Sequence, residues 1–272
     1  MSPTARRWTG YIAVAIAFAV ACGFLANWQF SRNEERAHQL ALVDANYDAD
    51  PTPLSEVIAP GEAYWDSERW RPVELVGEYL TQDQVLVRNR AHGGTSAFEV
   101  LVPFRTTDGQ VLVIDRGWVP PAEETHEPSA VPAPPAGEVT VIARLVPTEQ
   151  LPRSDWSAVD GQIPTLNVPL IGDLMADNAG LIDGAYAQLA AEDPAPASSP
   201  QALERPSDDA GPHFSYAIQW ILFGVMGFAF IWYMIRTERR AREEEEDQSL
   251  VPDPRRDQDM EEEDALLDAL GR

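Results

Sequence analysis

A histidine and several aromatic rings occur together where the second long apolar stretch of the chain begins. The stretch opens Pro212-His213-Phe214-Ser215-Tyr216-Ala217-Ile218-Gln219-Trp220. On a helix, His213, Tyr216 and Trp220 share one stripe, because side chains three and four residues apart lie on the same face. A neutral imidazole can ligate haem iron, and apolar and aromatic groups can cover a porphyrin. The same residues are also typical of a helix end within an aromatic belt at a membrane surface, so residue chemistry leaves both interpretations open.

Residues at the end of the first apolar stretch could complete such a site. Trp28, Gln29 and Arg32 lie there, and we expect the two stretches to pack as helices so that these residues line a cleft with His213. Arg32 or Arg36 would then pair with the propionates of a porphyrin. The helices are expected to pack along stripes of small residues. These are Gly224 and Gly227 on the second helix, and Ala15, Ala19, Gly23 and Asn27 on the first.

Both apolar stretches are long enough to cross a membrane. Residues 11–30 and 214–235 contain no charged side chain, and about twenty such residues span a hydrocarbon core of ~30 Å as a helix. Arginines lie outside both far ends, at Arg6 and Arg7 and again from Arg236 to Arg242, whereas carboxylates dominate the residues between the stretches. The positive-inside rule therefore predicts both termini in the cytoplasm and residues from about 33 to 212 on the other side.

A cleaved signal peptide is the alternative for the first stretch. Arg6-Arg7, followed by an apolar run that reaches Ala21-Cys22, has features of a lipoprotein signal or of a twin-arginine signal. The apolar run continues past Cys22 to Phe30, so an uncleaved span is favoured. Cys22 is the only cysteine, and one thiol can form neither an intrachain disulfide nor a paired-cysteine site for copper or zinc.

The residues between the spans predict a small β-rich domain. Five strand-like runs, rich in apolar residues and in part alternating with polar ones, are separated by turn residues, and they cover 72–80, 84–90, 97–104, 110–115 and 138–146. Asp108-Gly109 is a strong hairpin signal. A helix is expected from Asn33 up to Pro51, and one last strand or short helix within 164–189. Residues 120–135 read as a Pro-rich surface excursion and residues 192–212 as a Pro-rich tether.

These features predict a membrane-anchored α+β protein. Two transmembrane helices, 11–30 and 213–235, flank a mainly antiparallel, β-rich extracytoplasmic domain over 31–212 that forms a small barrel or sandwich. Residues 1–10 form a cytoplasmic N-terminus, and residues 236–272 form an acidic cytoplasmic tail that is expected to be disordered.

Charge and histidine spacing argue against several functions. The 272 residues carry a net charge of −24, which repels phosphate backbones, so nucleic-acid binding is not expected. His38, His92 and His126 lack metal-ligand spacing, so a zinc site is not expected either. Ser96, His92 and Asp108 could be imagined as a catalytic triad, but no nucleophile-elbow pattern surrounds the serine. We therefore expect no enzymatic activity.

Three stretches occur together in the order seen in one protein family. They are Gly23…Trp28-Gln29…Arg32, the strand core that ends in Asp115-Arg116-Gly117-Trp118-Val119-Pro120, and the opening of the second span. Over roughly residues 8–236 the chain resembles the Surfeit-locus-one family of assembly factors for haem–copper cytochrome c oxidase.

The resemblance implies a protein of the bacterial plasma membrane that aids delivery or insertion of haem a into the catalytic subunit of the oxidase. His213 would be the haem contact, and haem a synthase would be a further candidate partner beside the lipid bilayer. The alternative is a non-haem membrane scaffold that tethers subunits of the oxidase or of a respiratory supercomplex.

Three arginines lie on or beside the predicted strands, namely Arg88, Arg90 and Arg116. They form either a patch that binds a partner or propionates, or ion pairs with carboxylates such as Asp115 or Glu99 that fix the strand packing. The second interpretation is favoured. Gly117-Trp118 is expected to make a tight turn, with Trp118 anchoring the domain core.

Overall fold

The chain divides into two units. A helical unit comprises Met1–Glu35 with Ala210–Arg272, and a barrel unit comprises Arg36–Asp209. The computed structural model describes residues 3–92, 94–122, 127–128, 130–152 and 161–250, without the side chains of residues 3–5 and 245–250.

Two long helices contain the apolar stretches. Helix α1 spans Pro3–Asn46 and helix α4 spans His213–Leu250. Both are long and apolar enough to cross a membrane by length and composition. Each continues past its uncharged segment because the Arg, Glu, Ala and Gln residues that follow are good helix formers. Helix α4 thus enters the acidic segment for which the sequence predicts disorder, and residues 251–272 of that segment lie outside the described residues.

Among the described residues of the barrel unit, eight strands form one mixed, mostly antiparallel sheet. They are β1 (Thr52–Pro53), β2 (Pro72–Tyr79), β3 (Val85–His92), β4 (Thr95–Thr106), β5 (Val111–Val119), β6 (Val139–Pro147), β7 (Gln162–Ile163) and β8 (Leu181–Asp193). Two short helices accompany the sheet, α2 (Leu54–Val57) and α3 (Val168–Leu174).

Five of the strands close into a small barrel. The strand order is β1-β2-β6-β8-β5-β4-β3-β7, and an additional antiparallel pairing joins β2 to β4. The ring therefore runs β2-β6-β8-β5-β4 and back to β2, and within it only the pair β5–β8 is parallel. The predicted fold class, two long apolar helices flanking a mainly antiparallel β-domain, is confirmed, and the domain is a barrel rather than a sandwich.

Alternating side chains fill the barrel and cover its outside. Val100, Val102 and Phe104 of β4 belong to the larger apolar cluster, which also receives Leu54 and Ile58 from α2 and the residue after it. Neighbouring residues of the same strands, such as Leu101 and Val113, belong to a second cluster together with residues of α3. Strands β4 and β5 are therefore buried along most of their length, because both of their faces are covered.

The last strand and the segment after it differ from the prediction. The sequence allows one strand or short helix within 164–189, whereas the chain forms both α3 and β8, and β8 continues to Asp193. The segment that follows β8 does not hang free of the barrel. Gln201 exchanges two main-chain hydrogen bonds with Trp118, of 2.9 and 2.8 Å, and Arg205 pairs with Asp48 at 2.7 Å. Residues 123–126 and 129 of the expected surface excursion lie outside the described residues.

Candidate functional site

The imidazole of His213 is held by an amide from the other long helix. His213 is the first residue of α4 and Gln29 lies on α1, and His213 Nδ1 is 2.9 Å from Gln29 Oε1. An amide oxygen only accepts hydrogen bonds, so Nδ1 of the imidazole carries the proton. In the neutral imidazole Nε2 then keeps its lone pair, and no described residue hydrogen-bonds to Nε2. This is the tautomer that binds a metal through Nε2.

The aromatic side chains expected around His213 differ in exposure. Trp28 and Tyr216 are 51% and 47% exposed, whereas Trp220 is half-buried and meets Phe223 edge to face at 5.7 Å. Beside the histidine, Phe30 and Phe214 meet at 6.2 Å, also edge to face. Phe30 and Phe214 directly follow Gln29 and His213 in the sequence, and neither phenylalanine was predicted as part of the site.

At three positions, the helices pack through a residue next to the one predicted. Cys22, Ala26 and Ala217 are buried, whereas the predicted Gly23, Asn27 and Tyr216 are exposed. The prediction was wrong at these three positions because neighbouring residues on a helix are only about 100° apart, and the alanines permit closer approach than a tyrosine.

The predicted packing positions Gly224 and Gly227 on α4 are correct. A Cβ placed on Gly224 would lie 3.6 Å from Cβ of Cys22, and one placed on Gly227 would lie 3.2 Å from the Phe18 ring. These two glycines therefore contact α1 directly, which fixes the level at which Gln29 meets His213.

The arginines proposed to bind propionates have partners of their own. Arg32 pairs with Glu35 at 2.7 Å, and both side chains are more than half exposed. Such an exposed pair contributes little, about 0–1 kcal/mol, so Arg32 can exchange Glu35 for another carboxylate at small cost. In the barrel unit, Arg36 donates to the carbonyl oxygens of Ser207 at 2.6 Å and Asp209 at 2.9 Å.

Arg116 lies inside the barrel in a buried ion pair. Its side chain is fully buried and binds Glu192 of β8 at 2.8 Å, and its other terminal nitrogen donates to the Pro132 carbonyl at 2.9 Å. The Tyr79 hydroxyl donates to the same carboxylate at 2.8 Å. Burial and the Glu192 carboxylate raise the pKa of Tyr79 well above its ordinary value, which keeps the hydroxyl protonated as a donor. The favoured interpretation, an ion pair that fixes strands, is found, but the partner is Glu192 rather than Asp115.

Gly117 and Trp118 do not form the expected turn. Strand β5 continues to Val119, and its pairing with β4 shifts register between Glu99 and Leu101, so Arg116 and Gly117 together oppose Val100 as a β-bulge. Gly117 has φ +117°, a conformation that glycine adopts readily.

Trp118 is half-buried rather than a core anchor, because the bulge turns it towards His92, on which it stacks at 5.4 Å. The bulge therefore decides where the tryptophan points, and the expected role of Trp118 in the domain core is wrong.

The other strand arginines differ from each other. Arg90 binds Glu99 at 2.7 Å and Glu149 at 2.8 Å, as expected for Glu99. Arg88 is half-buried, and no ion pair with another described residue is found for it.

The carboxyl group of Asp115 is buried near Glu99. Burial first, and then the Glu99 charge, raise the pKa of Asp115 well above its ordinary value. Asp115 accepts only the Gly117 N–H, at 3.1 Å, and its second oxygen has no partner among the described groups.

The residues considered for metal binding or catalysis are not brought together. Among the described residues there is no group of three or more His, Cys, Asp or Glu side chains that could hold a metal ion, and His126 lies outside them. His92 binds Glu99 at 2.8 Å, the Ser96 hydroxyl faces Asn89, and Asp108 accepts from Thr106.

Sequence comparison identifies the family. The model of the SURF1 family, the Surfeit-locus-one family, matches residues 16–225, which include both ends of the His213–Gln29 pair and the whole barrel unit. The chain belongs to the SURF1 family. The match ends within the apolar segment of α4, so the acidic tail lies outside it.

Individual relatives agree with this assignment. The chain is 33% identical over 269 residues to an uncharacterized SURF1-like protein of Mycobacterium tuberculosis, covering 97% of this chain and 95% of the relative. It is 24% identical over 250 residues to a SURF1-like protein of Monosiga brevicollis, covering 87% and 91%. It is 23% identical over 175 residues to the cytochrome oxidase assembly protein SHY1 of Saccharomyces cerevisiae, covering 62% of this chain and 44% of the yeast protein.

Proposed function

We propose that the protein assists assembly of haem–copper cytochrome c oxidase by holding haem a at His213 for insertion into the catalytic subunit. Membership of the SURF1 family and the yeast relative named as an oxidase assembly protein support the role in assembly. The observation that carries the haem step is the hydrogen bond from His213 to Gln29, because it leaves Nε2 of the imidazole free for iron.

In this proposal each residue has a defined part. His213 Nε2 binds the iron of the cargo, and Gln29 fixes the tautomer and orientation of the ring. Phe30 and Phe214 supply apolar surface beside the imidazole. Arg32 releases Glu35 and pairs with a propionate instead. A single axial imidazole and one exchangeable ion pair suit a protein that must also release the haem.

Complementation tests the role and the site together. A strain that lacks the gene should have less haem a in its membranes relative to b-type haem, measured from reduced-minus-oxidised spectra. The wild-type gene should restore haem a and His213→Ala should not. His38→Ala is the matched control, because His38 is an exposed histidine of α1 that lies nine residues beyond Gln29, about 13 Å further along the helix. Normal haem a content in the deletion strain would refute the role in assembly.

The Gln29 variants separate orientation from simple packing. Gln29→Leu removes the acceptor for Nδ1–H, and loss of such a partner typically costs about 10–100-fold in metal affinity. Gln29→Glu keeps an acceptor at the same distance from the backbone and should retain haem. If both variants bind haem a as the wild type does, Gln29 does not act through the imidazole.

The exposure of Trp28 and Tyr216 favours a second candidate, a non-haem scaffold that tethers oxidase subunits through its helices. Both side chains are about half exposed and could contact partner helices as readily as lipid. In that case His213→Ala would restore oxidase fully in the deletion strain, and the purified protein would be colourless while still co-purifying with oxidase.

In this proposal both termini lie in the cytoplasm, and residues 31–212, which include the barrel unit, lie outside. Cys22 is buried and is the only cysteine of the sequence. In a Cys22→Ser background, a single reporter cysteine can therefore be placed at an exposed position, either Ser198→Cys in the barrel unit or Ala241→Cys on α4. A membrane-impermeant maleimide added to intact cells should label only Ser198→Cys. Labelling of Ala241→Cys alone would reverse the topology.

A further inference from the structure

Three arginines follow the apolar part of α4 on one face of the helix. Arg236, Arg239 and Arg240 are exposed, and their spacing of three and four residues places Arg239 and Arg240 one turn beyond Arg236. No described carboxylate lies within ion-pair distance of any of them. Arg242 on the same segment differs, because Glu238 binds it at 2.7 Å.

A groove of about 480 Å³ lies among these side chains, and its lining changes character along the helix. Trp232 and Ile235 form an apolar wall that continues the uncharged segment, and the three arginines form a cationic wall. The Arg236 guanidinium is 5.4 Å from the centroid of the Trp232 ring, so it lies where the two walls meet. Glu243 closes the end that is further from the uncharged segment.

The three guanidinium groups make this groove a favourable binding site for an anion. Like charges three or four residues apart on a helix repel each other, and Glu243 at the end of the groove forms no ion pair with any of the three arginines. An anion between the guanidinium groups would remove it, and phosphate oxygens match the donor geometry of arginine well. A soluble phosphate would leave the apolar wall of Trp232 and Ile235 uncovered, whereas an amphiphile would use both walls.

We propose that this groove binds the phosphate head group of an anionic phospholipid, with the acyl chains along Trp232 and Ile235. The groove begins where an uncharged helix long enough to cross a bilayer ends, which is the level of the lipid phosphates. Arginine clusters at this level attract anionic lipids. The site is independent of the role in oxidase assembly, because it uses none of the residues near His213.

Lipid occupancy of the purified full chain tests the site. Native mass spectrometry in detergent compares added phosphatidylglycerol with added phosphatidylcholine, for the wild type, the double variant Arg239→Gln/Arg240→Gln, and Arg242→Gln as the matched control. Each arginine near an anionic head group changes affinity about fivefold, so the double variant should bind phosphatidylglycerol about 25-fold more weakly. Arg242→Gln should bind as the wild type does, since Glu238 already neutralises Arg242.

Three results of this lipid comparison would overturn the proposal. The wild type could bind both lipids equally, the double variant could keep its preference for phosphatidylglycerol, or the loss could be the same in Arg242→Gln. A separate competition experiment adds glycerol phosphate together with phosphatidylglycerol. If it displaces phosphatidylglycerol at matched concentration, the ligand is a soluble anion and the lipid site is refuted. Far-UV circular dichroism confirms that the variants, which change exposed side chains only, keep the helix.

Discussion

The buried ion pair of Arg116 and Glu192 gives a sharp test of what holds the barrel closed. The Arg116 side chain is fully buried and that of Glu192 is 5% exposed. Arg116→Met keeps much of the side-chain volume but leaves the carboxylate buried, with the Tyr79 hydroxyl as its remaining described donor. Removing one member of a buried pair costs about 3–5 kcal/mol, so we expect the free energy of unfolding to fall by about that amount.

The loss of stability arises because the Glu192 carboxylate is left buried without Arg116, so removing both charges should have a smaller effect than removing Arg116 alone. Arg116→Met/Glu192→Leu removes both charges and should recover most of the lost stability, because replacing a buried pair by apolar groups of similar size is often neutral. Arg105→Met is the matched control. Its partner Asp177 is 61% exposed, and an exposed pair contributes about 0–1 kcal/mol.

Urea unfolding of the full chain in detergent, followed by near-UV circular dichroism, measures these differences. The expected order of stability is wild type, then Arg105→Met and the double variant, then Arg116→Met well below them. If Arg116→Met costs no more than Arg105→Met, or if the double variant is no more stable than Arg116→Met, the ion pair does not fix the strands as described.

Three further predictions concern Asp115, Gly117 and Gly224. Asp115→Asn should stabilise the barrel relative to the wild type by an amount that grows as the pH rises above about 4. The unfolded carboxyl ionises near its ordinary pKa of 3.8, whereas the folded one, with its raised pKa, holds its proton to higher pH. A difference between variant and wild type that does not change with pH in urea titrations would contradict this. Gly117→Ala should lower the free energy of unfolding by about 1–3 kcal/mol in the same titrations, since φ is +117° and a Cβ would clash with the Gln201 carbonyl oxygen. An unchanged midpoint would exclude this close approach. Gly224→Leu should overpack the interface of the two helices, destabilise the protein by about 1–3 kcal/mol and lower its melting temperature in detergent. Gly23→Leu should not, because a Cβ at Gly23 meets nothing within 4 Å. Equal effects of the two changes would show that the helices pack elsewhere.

The strands that the sequence predicts well are those with local signals. Val85, Val87 and the Asp108-Gly109 turn place β3 and the β4–β5 hairpin within a few residues of their observed bounds, because strand faces and tight turns are encoded nearby in the chain. Strand β8 has no comparable signal. Residues such as Gly184 and Ala187 are poor strand formers, and β8 forms because it fills the gap between β5 and β6.

The candidate site was predicted only in part for a similar reason. The pairing of Gln29 with His213 follows from two apolar helices that carry polar groups at the same level. The helix faces were predicted less well, since one residue decides between Tyr216 and Ala217. Glu192 as the partner of Arg116 could not be predicted, because the two lie 76 residues apart and only the closure of the barrel brings them together.

Binding of haem a to the purified full chain tests the central claim most directly. Titration of haem a into the protein in lipid nanodiscs, followed by the Soret band, should give a saturable complex with one haem per chain for the wild type and for His38→Ala. His213→Ala should give only the spectrum of haem a in lipid. The same saturable spectrum for His213→Ala and wild type would contradict the assignment of His213 as the iron ligand.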